Sequence, residues 1–218
     1  MYDIIQKLIE NIVNEPQRFG EAVFDHFLLL VILPVALAIL FAVPLGILAT
    51  RYRTLGKIAM GITNIIQTIP SLAMLVFMIV IGLGIGYKPA ITALFLYSLL
   101  PILRNTYTGI KSVDPFLKEA ATGMGMTNMQ RLFMVELPLS FSIIMAGIRT
   151  ATVTCIGTGT LAAYVGAGGL GTFIVRGMQL MREELLLIGA IPSALMALAA
   201  DFLLGKIESL LVPRGVRD

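Results

Sequence analysis

The chain has 218 residues, 57% hydrophobic and only 13% charged, with a formal net charge of +3. Soluble domains carry roughly 25% charged residues, so this balance excludes an ordinary soluble domain and points to a membrane protein. The basic residues stand at the ends of apolar runs, which argues against a nucleic-acid partner, and a single cysteine, Cys155, excludes an intrachain disulfide.

Residues 1–25 read as an amphipathic amino-terminal segment. Ile4, Ile5, Leu8, Ile9 and Ile12 recur at helical spacing, so Tyr2 to Val13 predicts a helix lying on the membrane surface, with a frayed terminus as the alternative. The apolar run that follows is too long for a cleaved signal peptide, and Glu10, Glu15, Glu21 and Asp25 precede it.

Five runs reach the roughly 20 residues that a helix needs to cross a bilayer. They are His26 to Ala49, Ile58 to Leu83, Pro89 to Ile110, Leu137 to Val165 and Leu185 to Leu211. With the amino terminus outside, ten lysines and arginines face inward (Arg51, Arg53, Lys57, Arg104, Lys111, Lys118, Arg131, Lys206, Arg214 and Arg217) and five face outward. That bias favours an outside amino terminus and a cytoplasmic carboxyl terminus.

Polar residues inside the spans mark candidate function. In the second span Thr63, Asn64, Gln67, Thr68 and Ser71 read as one helical face, and Pro70 predicts a kink. Such a face turns to other helices or to an aqueous path; both readings stand, and Thr154 and Thr158 of the fourth span could join the path. Arg149 and Asp201 are charges within apolar spans. Arg149 lies 12 residues from Leu137 and Asp201 lies 10 from Leu211, about 18 Å and 15 Å along their helices. The matching depths allow an intramembrane ion pair; the alternative has Arg149 bonding to carbonyls or lining the path.

One stretch interrupts the apolar pattern: "EAATGMGMTNMQRLFMVELP", Glu119 to Pro138. Asp114 caps a helix that begins at Pro115 and ends near Gly123 and Gly125. Thr127 and Gln130 form a capping box for a second helix, limited by Pro138. Met124, Met126, Met129, Leu132 and Phe133 offer an adaptable apolar face, suited to a partner's groove rather than to an ordinary solvated loop.

Glu119-Ala120-Ala121, then Gly125, then Leu137-Pro138, resembles the EAA loop of ABC importer permeases, with Val135 where the family usually has isoleucine. The stretches "NIIQTIPSLAMLVFM", "LLPILRNTYTGI" and "VGAGGLGTFIVRGMQL" extend the likeness to osmoprotectant permeases for glycine betaine, carnitine or choline. Bile-exclusion permeases are closely similar and methionine permeases a weaker match.

The resemblance implies a compact all-α type I importer-permease fold, methionine-permease-like, in the bacterial plasma membrane. Residues 26–212 would be the permease domain, with a coupling loop at 111–138, and 213–218 a cytoplasmic tail. The implied partners are cytoplasmic ABC ATPase subunits, a second permease copy or homologue, an external substrate-binding lipoprotein and the lipid bilayer. No cofactor is expected on this chain, because no G-x-x-x-x-G-K-[ST] occurs; ATP and magnesium would belong to the ATPase.

Three competing readings fail. "GAGGLG" at Gly166 to Gly171 follows a membrane span rather than a strand, so it is not a dinucleotide site. One histidine and no carboxylate or metal-ligand cluster argue against a membrane enzyme. The absence of a convincing internal repeat argues against a stand-alone secondary transporter. Quaternary ammonium groups favour aromatic cages, and a chain with no tryptophan and six scattered tyrosines suits a path rather than a selecting site.

Overall fold

The computed structural model describes residues 2–211, apart from the side chains of residues 2–5 and 8; the tail at 213–218 lies outside the described residues. Every regular element among them is helical. Three helical stretches are long and apolar enough to cross a membrane: Pro16–Arg51, Asn128–Val165 and Glu183–Leu211, of 36, 38 and 29 residues. A bent pair, Arg53–Thr68 and Ser71–Leu83, makes a fourth if taken as one span. The helix covering the remaining predicted span, Tyr87–Ser112, has 26 residues, but Lys88, Arg104 and Lys111 reduce its apolar character.

That helix is the centre of the fold. In chain order the helices are α1 (Tyr2–Asn14), α2 (Pro16–Phe27), α3 (Leu33–Arg51), α4 (Arg53–Thr68), α5 (Ser71–Met78) and α6 (Tyr87–Ser112). They continue with α7 (Pro115–Gly123), α8 (Asn128–Arg131), α9 (Leu137–Gly159), α10 (Gly171–Leu180) and α11 (Glu183–Leu211). α6 packs against α3 on one side and α9 on the other. Small buried residues of α3, Ala38 and Ala42, let the backbones approach, and with Ala59 and Ala151 they close around Ile102 and Leu103 of α6. α11 packs on α9 and α10. The outer faces keep Leu40, Phe41, Val80, Leu195, Leu198 and Phe202 exposed, as a bilayer requires.

Prolines explain the irregular turns. A π turn at Leu28–Ile32 joins α2 to α3 just before Pro34, and another at Leu132–Glu136 joins α8 to α9 just before Pro138. Proline cannot donate to the carbonyl four residues back, and a wider turn absorbs the mismatch. Pro138 therefore does not limit the second loop helix, contrary to the sequence reading; the helix runs on into the fourth span.

Pro70 does more than kink the second span. The chain turns by 101° between α4 and α5. Ile69 and Pro70 are extended, and the Tyr97 hydroxyl of α6 donates to the freed Ile69 carbonyl. At the amino terminus α1 packs on α11, and Ile12 joins Phe19 against Ala22, Phe173, Leu185 and Ile188, while Ile9 and Val13 stay exposed.

The two ends of the bundle differ chemically. At one end Tyr87 donates to Asp25 at 2.7 Å, Gly86 N donates to the Val165 carbonyl at 2.8 Å, and His26 Nε2 meets the Ile156 carbonyl at 3.1 Å. The glycine turn at Gly166–Gly171 wraps this end. A Cβ on Gly171 would lie 1.9 Å from the Thr160 carbonyl oxygen, so no side chain fits there. The other end holds the Glu119–Pro138 segment.

Candidate functional site

The segment is a knob of two capped helices. Asp114 Oδ1 accepts from Phe116 N at 2.8 Å and starts α7; Pro115 occupies its first turn. α7 ends at Gly123, and Gly125 reverses the chain with φ +82°, a conformation that strains any side chain bearing a Cβ. Thr127 N donates to Gln130 Oε1 at 2.8 Å and Gln130 N donates back to Thr127 Oγ1 at 3.3 Å, a complete capping box.

Within the knob, Ala121 is buried while Glu119 and Ala120 are exposed. Met124, Met129 and Phe133 are exposed by 60% or more and Phe116 by 71%, so an apolar surface faces outward. Leu132, read from sequence as part of that surface, is instead buried because the π turn rotates it inward. Leu137 and Pro138, both half-buried, form the first turn of α9.

Ionic contacts anchor the knob to the bundle. Glu136, the last residue of the π turn, has no exposed side-chain surface. Its Oε2 accepts from Arg51 Nη2 at 2.5 Å and its Oε1 from Arg131 Nε at 3.1 Å. Arg131 Nη1 also donates to Thr122 Oγ1 at 3.0 Å, and Lys118 Nζ donates to the Ile110 carbonyl of α6 at 2.9 Å. Burial pushes the Lys118 ammonium below its ordinary pKa; Glu136 pulls it upward, and Lys111, Arg51 and Arg131 push it down. Sequence reasoning missed the Glu136 cluster. An isolated carboxylate in "FMVELP" was the available signal, but its partner Arg51 is 85 residues away.

The polar face of the second span is divided. Thr63 is buried and donates to the Ala59 carbonyl at 2.8 Å; Thr68 donates to the Ile65 carbonyl at 2.7 Å. Gln67 Nε2 donates to the Tyr97 carbonyl at 2.8 Å, and Asn64 is exposed. Ser71 opens α5 beyond the 101° bend, so the five do not share one helical face. On α9, Thr154 is exposed and Thr158 half-buried, its hydroxyl donating to the Thr154 carbonyl at 2.9 Å.

Thr154 lines a cleft of about 360 Å³ with Ala146, Arg149, Thr150, Val153 and Asp201. There Arg149 Nη2 lies 2.8 Å and Nε 3.0 Å from Asp201 Oδ1, while Nη1 reaches Glu208 Oε2 at 3.4 Å. The structure brings these two charges together and adds Glu208, which the sequence reading did not include.

This layout of spans and knob matches known proteins. Residues 42–213 match the family model described as binding-protein-dependent transport system inner membrane component. The chain belongs to that family. As an inner-membrane transport component it is a membrane protein, and it resembles the permeases of ABC importers. The carnitine transport permease protein OpuCB of Listeria monocytogenes is 52% identical over 184 residues, 84% of each chain. The glycine betaine/carnitine/choline transport system permease protein OpuCB of Bacillus subtilis (strain 168) is 47% identical over 186 residues, 85% of each chain. A chain of the MetNI methionine ABC transporter in an inward-facing conformation shares the fold, with a TM-score of 0.78 at 22% identity over 91% of this chain and 99% of that one.

Proposed function

We propose that the chain is the membrane-spanning permease subunit of an ATP-driven importer for quaternary-amine osmoprotectants: glycine betaine, carnitine or choline. The observation that supports this best is the 47–52% identity, across five-sixths of the chain, to permeases bearing those substrate names. The exposed methionine-rich knob supplies the other half of the reading, a docking surface for a cytoplasmic ATPase. ATP and magnesium belong to that ATPase, and an external binding protein selects the substrate.

In this reading the amino terminus is outside, the knob is cytoplasmic, and two permease subunits enclose the path. ATP binding draws the two knobs together and shifts the bundles between inward-open and outward-open states. Binding energy is released where the ATPase grips Met124, Met129 and Phe133, and the anchored knob passes the displacement to the spans.

The test is uptake into proteoliposomes holding the complex, its binding protein and internal ATP. ATP-dependent accumulation of labelled glycine betaine, carnitine or choline, with no accumulation of methionine, is the expected result. Accumulation of methionine alone, or ATP-dependent export of bile acid, would assign the chain to a neighbouring system. Uptake without ATP would remove the importer reading.

A further inference from the structure

The Glu136 cluster joins three parts of the molecule that sequence keeps far apart. Arg51 is the last residue of α3, followed by the extended Tyr52 at the elbow into α4. Arg131 ends α8 and also holds Thr122 near the end of α7. Glu136 stands between them at the head of α9. The polar chain Thr122–Arg131–Glu136–Arg51 thus runs from the knob, through the start of the fourth span, to the end of the first.

Its charges are unequal. Two guanidiniums share one carboxylate, and the Lys118 ammonium is close enough to feel all three. The carboxylate is fully buried, whereas the side chains of Arg51 and Arg131 are 33% and 21% exposed. A buried charge is tolerated only when its partners satisfy it, and here both oxygens are occupied. Removing the negative charge would leave the cations facing one another with nothing between them, so the joint would open.

We propose that Glu136 is a positioning residue that couples the knob to the first span through Arg51. It touches neither substrate nor nucleotide. Its role is to make α3 follow α9 when the ATPase moves the knob. The proposal rests on the permease reading above and adds a specific route by which motion leaves the knob.

The experiment uses the complete complex in proteoliposomes, with glycine betaine as substrate, and measures transport and ATP hydrolysis together. The variants are Glu136→Gln, Arg51→Gln, their double, and Arg51→Lys. Each single neutral variant should assemble and keep basal ATP hydrolysis, while molecules transported per ATP fall about tenfold, within the usual range for coupling between sites. The double variant should be no worse than the poorer single, because both break one joint. Arg51→Lys, which keeps the charge, should recover much of the ratio.

Wild-type transport per ATP in Glu136→Gln would overturn the proposal. So would multiplied losses in the double variant, or transport and basal hydrolysis falling together with their ratio intact, which would mark a structural role alone. Should Glu136→Gln fail to insert, the partly exposed Arg51 decides: an unchanged ratio in Arg51→Gln overturns the proposal. Failure of the wild-type complex to couple glycine betaine uptake to ATP would instead count against the permease reading itself.

Discussion

One unbroken helical stretch, Asn128 to Gly159, carries two ionic clusters of opposite composition. Near its start a fully buried carboxylate, Glu136, is held by two guanidiniums. Thirteen residues on, about 20 Å along the axis, a guanidinium that is 32% exposed, Arg149, is held by the carboxylates of Asp201 and Glu208, which are 49% and 22% exposed. Burial separates their roles. The first cluster is enclosed by protein and works as a joint. The second opens into a cleft beside Thr150 and Thr154, and polar groups avoid lipid, so that face meets water or another protein chain.

The largest effect is expected from disturbing the knob that the buried joint serves. Gly125→Val places a β-branched residue at φ +82°, where even an unbranched side chain costs about 1–2 kcal/mol. The protein should still insert, but substrate-stimulated ATP hydrolysis should fall to the basal rate. Normal transport by that variant would separate knob geometry from coupling and weaken the contrast between the two clusters.

A smaller effect tests the exposed cluster. Arg149→Ala and Asp201→Ala should each reduce folded yield by about two- to fivefold, below the loss for a fully buried pair, because both side chains are partly exposed in the cleft. The double variant should regain part of that yield, since neither charge is then left alone; fluorescence-detected size-exclusion chromatography reads all three. Strictly additive losses would mean that the 2.8 Å contact carries no pairwise energy.

The smallest effect belongs to the second span. Gln67 already donates to the Tyr97 carbonyl beside the break at Pro70, so replacing it removes a brace as well as a polar face. Alanine at both Asn64 and Gln67 should lower the transport rate about twofold, the lower end for one lost hydrogen bond. A change in substrate preference would show that the exposed Asn64 contacts the transported molecule. No change at all would reduce the face to packing.

Local chemistry was legible in the sequence and long-range geometry was not. The Asp114 cap, the Gly125 turn and the Thr127–Gln130 box each depend on neighbours within four residues, so their pattern identifies the knob. Arg149 and Asp201 are lone charges at similar depths, which makes their pairing open to reasoning, while Glu208 lay too near the span end to draw notice. Pro70 alone predicts a kink and not the 101° bend, because the Tyr97 hydroxyl that donates to the freed Ile69 carbonyl comes from another helix. The π turn before Pro138 hid the rotation of Leu132 and the inward aim of Glu136. A single helical period of 3.6 cannot describe a face that crosses such a turn.

The most direct test of docking uses the protein's own cysteine content. Cys155 is buried, so Met129→Cys introduces the one readily accessible thiol at the knob. Inside-out vesicles stripped of the ATPase should label at this position with a membrane-impermeant maleimide, and adding the ATPase back should protect it. Intact cells should not label. Labelling from outside the cell, or equal labelling with and without the ATPase, would contradict the account that this segment is the cytoplasmic docking surface of the permease.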